Sequence, residues 1–290
     1  MQGRIIKHIS GFYYVAAEGR IWKCRGRGIF KQEGITPLVG DMVSMEVTHE
    51  GDGEGIVDRI HERKNAFVRP PCANVDRFLI VSSVVHPKPV LEVLDRFLVM
   101  AEHEGADIIL CLSKIDLDRH GRAKELQEIY APLYPVYCIS SLTGDGIQPL
   151  AEALTDGLTA LAGPSGAGKS SLLNRLVPGA EAQTGGVSRK TSRGKNTTRH
   201  VELFSLPQGG MVFDTPGFTA LHAADTDVFG LQACMPEIAA RRTACRYDDC
   251  LHLKEPDCAV RRAVGEGTIR SSRYASYVSI LQEIRDRKKY

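Results

Sequence analysis

The sequence predicts an α/β P-loop domain preceded by a small OB-like β-barrel and followed by a helical, zinc-binding segment. Three observations predict it. Between Phe78 and Asp214 apolar strand runs alternate with helical periods, the pattern of a mostly parallel sheet covered on both faces. Inside that alternation Gly163-Pro-Ser-Gly-Ala-Gly-Lys-Ser170 matches G-x-x-x-x-G-K-[ST], a loop whose backbone N–H groups wrap phosphates. Outside it lie short period-two segments on one side and a tight Cys/His cluster on the other. The expected boundaries are 1–66 for the barrel, 67–220 for the α/β domain and 221–290 for the helical segment.

The elements follow in order. Gly11–Val15, Arg20–Cys24, Asp41–Val47 and Gly55–Ile60 show partial alternation. They are separated by turns at Glu18-Gly19, Gly40-Asp41 and Asp52-Gly53. About five short strands in this length fit a small barrel of the oligonucleotide-binding or the SH3-like type. Phe78–Val85 reads as a buried strand, Val90–Met100 as a helix, and Asp107–Leu112 as the next strand. A helix near 123–134, a strand over 135–139 and a helix near 147–155 continue the alternation. Strand Leu158–Ala162 then enters the phosphate loop, and helix Lys169–Val177 leaves it. Strands near 201–206 and 211–214 end the pattern, and Tyr274–Asp286 has helical spacing.

Ligands of such sheets bind at the carboxyl ends of the strands, where every motif falls. In the phosphate loop, Gly163, Gly166 and Gly168 permit the tight nest around Pro164, Ser165 and Ala167. Lys169 reaches the β- and γ-phosphates, and the Ser170 hydroxyl is placed to ligate Mg²⁺, with Ser171 beside it at the helix start. Asp214, after Met211-Val-Phe213, suits a water-mediated magnesium contact, and the Gly217 N–H suits the γ-phosphate. Base reading falls to Ser113-Lys114-Ile-Asp116: the Asp116 carboxylate accepts from guanine N–H groups, and Lys114 packs over the base. Ser140 and Ser141 open a second base loop. Thr198, in the Gly185–His200 stretch, is the preferred hydroxyl for magnesium, ahead of Thr197. Both base loops precede the phosphate loop, Ser113 by about fifty residues. In a GTPase they should follow it. The order is that of a circularly permuted GTPase, binding GTP and GDP.

Composition narrows the class. With 43% hydrophobic and 25% charged residues the chain is an ordinary globular protein. It has neither an apolar run long enough to span a bilayer nor a signal-peptide core, so a cytoplasmic monomer without membrane contact is expected. The net charge of +2 hides basic clusters at Arg4–Lys31, Arg189–Arg199 and Arg261–Lys289, which suit a polyanion such as RNA. Cys24, Cys72, Cys111, Cys138 and Cys234 read as small core residues. Cys245, Cys250, His252 and Cys258 instead form a closed tetrahedral set for one structural Zn²⁺.

Taken together, the barrel-like start, Ala73-Asn-Val-Asp76, the rotated motif order, Gly163–Ser171, Gly194-Lys-Asn-Thr-Thr198, Asp214-Thr-Pro-Gly-Phe218 and the Cys245–Cys258 pattern resemble one family along the whole chain. It is the circularly permuted ribosome small subunit-dependent GTPase A. The resemblance implies a bacterial cytoplasmic GTPase assisting late maturation of the 30S ribosomal subunit, with rRNA as principal contact and the subunit as activator. Ser113 stands for the usual Asn, Asn196 for a frequent His, and Phe218 where many GTPases place a water-orienting Gln. Slow turnover without a partner is therefore expected. A non-catalytic, nucleotide-stabilised rRNA-binding factor is the alternative, and a P-loop ATPase or kinase a third reading. The step from Asp214–Phe218 straight into the Cys/His segment suggests that the γ-phosphate re-aims that segment.

Overall fold

Strand β1 (Gln2–Ile9) runs antiparallel to β2 (Phe12–Ala17), and β2 to β3 (Arg20–Gly26). A short helix, α1 (Ile29–Gln32), precedes β4 (Met42–His49) and β5 (Glu54–Ile60). β3 pairs in parallel with β5, β5 antiparallel with β4, and β4 returns to β1. The order β1-β2-β3-β5-β4, closed through β1–β4, is that of the oligonucleotide-binding barrel rather than the SH3-like one. Ile5, Val15, Trp22, Val43, Met45 and Val57 fill it.

The computed structural model describes residues 1–179, 201–218 and 226–287, with the backbone alone for Lys31 and residues 215–218. After the barrel come the hairpin β6 (Ala66–Val68)–β7 (Pro71–Ala73), β8 (Arg77–Ser83), α2 (Leu91–His103) and β9 (Asp107–Ser113). A 3₁₀ turn at Ile115–Leu117 leads to α3 (Arg122–Tyr130), β10 (Val136–Ile139), α4 (Ile147–Glu152) and β11 (Leu158–Ala162). Then follow α5 (Lys169–Leu176), β12 (Glu202–Ser205) and β13 (Met211–Phe218). Four helices complete the chain: α6 (Val228–Ala233), α7 (Pro236–Arg242), α8 (Ala259–Gly265) and α9 (Ser271–Arg287). None of the described helices is long and apolar enough to cross a membrane.

Two compact units interleave along this order. Met1–Arg77, Gln148–Leu161 and Ser170–Phe218 make the first; Phe78–Ile147, Ala162–Lys169 and Thr219–Tyr290 make the second. In the first, β11, β13 and β12 lead into the barrel, because β12 pairs antiparallel with both β13 and β1. The Asp76 backbone N–H donates to the Leu158 carbonyl and its carboxylate accepts from the Leu158 N–H, at 2.9 and 2.8 Å. The Ala73–Asp76 stretch thereby pins the start of the strand that feeds the phosphate loop.

In the second unit β10, β9 and β8 lie side by side, with β10 and β9 parallel. The C-terminal helices build a core to which α2 contributes. Val99 of α2 joins Leu231, Met235, Ile238, Val260, Tyr277 and Leu281 in one apolar cluster that also holds Cys250 and Cys258. Beside it Arg273 of α9, 1% exposed, donates to Asp95 of α2 at 2.7 Å and to Glu237 of α7 at 2.6 Å. The Tyr130 hydroxyl of α3 donates to the same Asp95 oxygen at 2.7 Å. The two carboxylates hold the Arg273 guanidinium charged despite its burial. By sequence Arg273 belongs to a basic cluster suited to a polyanion. Burial removes it from any such surface.

Removing one member of a buried ion pair leaves the others charged without a partner, which costs about 3–5 kcal/mol. Arg273→Met is expected to lose that much in urea denaturation, and Arg273→Met with Asp95→Leu and Glu237→Leu to recover most of it.

Candidate functional site

The site begins with parallel strands in register. Ile139 of β10 is paired with Ser113 of β9, so the Ser113–Asp116 and Ser140–Ser141 loops leave the sheet side by side. Ser140 shapes its own loop: its buried hydroxyl accepts from the N–H groups of Leu142 and Thr143 at 3.2 and 3.1 Å. Ser141, next in the chain, is half-buried.

The phosphate loop leaves β11 at Gly163. Its φ is +132°, and a Cβ there would lie 2.1 Å from the Val81 carbonyl oxygen, so no side chain fits. Pro164 to Gly168 form an open turn in which Ala167 alone is buried, and α5 starts at Lys169 with Ser170 and Ser171 in its first turn. The Lys169 ammonium donates to the carbonyls of Gly163 and Pro164 at 2.6 and 2.8 Å, and burial lowers its pKa to about 8.

The base-reading loop grips this turn directly. The Ser113 hydroxyl, itself buried, bonds the Ala167 carbonyl at 2.5 Å and lies 3.3 Å from that of Ser82. Lys114, left-handed at φ +63°, donates from Nζ to the Gly166 carbonyl at 2.7 Å and to the His86 carbonyl. Ser113 and Lys114 are thus held against the 163–169 turn through its backbone carbonyls. Asp116 lies exposed on the wall of a cavity of about 680 Å³ shared with His86, Lys88, Arg119 and His120. Its carboxylate has no hydrogen-bond partner among the described residues, which leaves it open to a ligand. Sequence reasoning missed His86, whose carbonyl helps hold Lys114. It missed Asp118 too, which accepts from the N–H groups of His120, Arg122 and Ala123 and so fixes the chain beyond Asp116.

Asp214 lies mid-way along β13, opposite Glu202 of β12. Burial and then the Glu202 charge push its carboxyl above the ordinary range, so a nearby cation would stabilise the ionised form. Gly217 falls near the end of the same strand. Thr197 and Thr198, and Asn196 with the Arg189–Arg199 cluster, lie outside the described residues.

Far along the sequence, one ligand atom each from Cys245, Cys250, His252 and Cys258 falls within 4.8 Å of the others. The Cys245 and Cys258 sulfurs are 3.9 Å apart, and His252 Nδ1 lies 3.5 and 3.4 Å from them. A tetrahedral metal with sulfur bonds of about 2.3 Å has edges of about 3.8 Å, so the donors fit one ion. Burial lowers the His252 pKa and favours the neutral, ligating imidazole. Burial, together with the neighbouring Cys258 and Cys245 thiols, pushes the Cys250 thiol up to about 12, and a dication would reverse that.

A family model described as the RsgA GTPase matches residues 60–224, and one for the RsgA N-terminal domain matches residues 2–57. The chain belongs to the RsgA GTPase family. It hydrolyses GTP, with the motifs in permuted order. A protein of Alkaliphilus metalliredigens named small ribosomal subunit biogenesis GTPase RsgA is 42% identical over 100% of this chain and 99% of its own length. One of the same name from a Geobacillus strain is 45% identical over 99% and 98%. Among solved structures, YjeQ from Thermotoga maritima matches with a TM-score of 0.84 at 34% identity, covering 98% of each chain. YloQ, titled a circularly permuted GTPase, matches with 0.83 at 38% identity, covering 99% of this chain and 95% of its own.

Because a methyl at Gly163 meets backbone rather than a yielding side chain, Gly163→Ala should open the phosphate loop without unfolding the chain. Fluorescent GDP is expected to bind at least about tenfold more weakly, with the melting temperature changed far less.

Proposed function

We propose that this chain is a GTPase of small ribosomal subunit maturation, which binds the 30S particle and its rRNA in the cytoplasm and is activated by it. The observation that carries the reading is the grip of Ser113 and Lys114 on the Ala167 and Gly166 carbonyls. It joins a base-reading loop to a phosphate loop in reversed chain order, and YloQ is titled a circularly permuted GTPase. The barrel, the permuted domain and the Cys/His helices, at about 1–66, 67–220 and 221–290, act as its three functional segments.

Residues divide the work by chemistry. The Asp116 carboxylate accepts from the guanine edge, Lys114 packs against the base, and Ser140 and Ser141 close the base loop. Backbone N–H groups from Gly163 to Ser171, with the Lys169 ammonium, hold the phosphates. Magnesium, bound through the Ser170 hydroxyl, Thr198 and water on Asp214, would neutralise the phosphate charge; these are hard oxygen donors that suit it. The Gly217 N–H reads the γ-phosphate. Phe218 can orient no water, so the chain is slow until a partner supplies or orders the missing group.

The barrel supports RNA as that partner's contact. Phe12, Tyr13, Arg25, Arg27 and Phe30 border a groove of about 490 Å³. Lys23 and Arg25 lie 4.4 and 5.0 Å from the centre of the Phe12 ring, and His8 stacks on Tyr13 at 4.6 Å. Cations beside aromatic faces are the usual means of holding unpaired nucleotides. At the other end of the chain a structural Zn²⁺ would draw Cys245, Cys250, His252 and Cys258 together, and the α8 start with them, since the Cys258 sulfur accepts the Arg261 N–H.

Purified protein should turn over GTP slowly alone and at least about tenfold faster with 30S particles. Unchanged turnover would remove the subunit as activator, and absent turnover in both cases would leave a non-catalytic binding factor as the better description. Asp116→Asn should shift preference from guanine toward xanthine nucleotides in competition binding. Elemental analysis should find one zinc per chain, and Cys258→Ser should lose it together with several degrees of melting temperature.

A further inference from the structure

Three charged side chains stand in a row across β1, β12 and β13. Lys7 is the register partner of Glu202, and Glu202 is the register partner of Asp214. Partners in antiparallel strands project from the same face, about 5 Å apart at Cα. The Lys7 ammonium spans both Glu202 carboxylate oxygens, at 2.8 and 2.7 Å. The pair is about 30% exposed, so its field is only partly screened.

Two carboxylates directly opposite each other destabilise a sheet unless something offsets them. Glu202 is offset by Lys7, which comes from the barrel. A register shift between Ile5 and Lys7 lets β1 do this. Before it, Gln2 to Arg4 pair with β4 and close the barrel; after it, Lys7 pairs with β12. A bulge of this kind re-aims the residue that follows it. Lys7 is also one residue from His8, which stacks on Tyr13 at the barrel's aromatic groove.

We propose that Lys7 is a positioning residue for GTP binding, with the Lys7–Glu202 pair setting the charge opposite Asp214 and joining the barrel to the magnesium-side strand. This rests on the reading that Asp214 faces magnesium. With Lys7 in place the Glu202 charge opposite Asp214 is partly offset. Anything that draws Lys7 away from Glu202 restores that charge in full without touching the nucleotide.

The test is a magnesium titration of a fluorescent, non-hydrolysable GTP analogue on the full chain, followed by equilibrium fluorescence. Lys7→Met should lower the half-saturating magnesium concentration about threefold or more, because an extra negative charge attracts the dication. Glu202→Gln should raise it by a similar factor. The Lys7→Met/Glu202→Gln double variant should return close to wild type, as should Lys7→Arg. A role confined to stability would move both single variants the same way and would lower their melting temperatures without opposite magnesium shifts. Shifts in one direction, or none, in a chain whose binding still requires magnesium would overturn the proposal and leave the reading of Asp214 intact. Wild-type binding that ignores magnesium would overturn both.

Discussion

The grip of Ser113 and Lys114 on the phosphate turn is the constraint on which the site depends. Each bond ends on a backbone carbonyl, of Ala167, Gly166 or His86, so the shape of the turn matters more than its side chains. Two backbone conditions make the grip possible. Gly163 must lie against β8 with no Cβ between, and Lys114 must adopt a left-handed conformation that bends the chain toward the turn. None of these conditions refers to the order of the loops along the chain. Permutation is tolerated for that reason: it moves the covalent ends and leaves the bonds in place.

How much of this the sequence disclosed depends on whether a feature is local. Buried strands are continuous apolar runs, so β9 and β11 lie where the runs do, and Leu158–Ala162 matches at both ends. The phosphate loop and the Cys/His quartet are short motifs with fixed spacing, and both assemble. β1 is not legible as a strand: its apolar residues are few, basic residues interrupt them, and the register shift near Ile6 breaks the alternation. Whether the barrel is of one type or another depends on the β3–β5 and β1–β4 pairings, which no local pattern encodes. The substitution at Ser113 is expected from sequence to weaken or reroute a contact. That a hydroxyl can still reach the Ala167 carbonyl follows from the closeness of the turn, visible only in three dimensions.

Charge is the least legible property, because sequence gives its sign and not its partner. Arg4 donates to the Gly40 carbonyl, Arg20 lies over Trp22 at 4.7 Å, and Lys7 is held by Glu202. Part of the first basic cluster is therefore structural, and Lys23 and Arg25 beside Phe12 are what it offers a polyanion. In the last cluster Arg273 is buried, whereas Arg261, Arg262, Arg270, Arg285 and Arg287 remain exposed. Among the described residues a polyanion contact along the helical segment rests on those five, without Arg273.

The same buried arginine bears on how the Cys/His segment is carried. Read from sequence, the segment hangs from the end of β13 and is free to be re-aimed by it. Its helices instead share a core with Val99 of α2, and three bonds tie α9 to α2: Arg273 to Asp95, Arg96 to Glu283 at 2.6 Å, and Ser279 to Glu92 at 2.9 Å. A segment held by an apolar core and buried charge does not swing on its connecting strand. Separating α9 from α2 would expose Val99 and leave Asp95 without its cation, a cost above what one hydrogen bond from the Gly217 N–H returns. The base-reading loop, the phosphate turn and the Cys/His helices therefore belong to one compact unit.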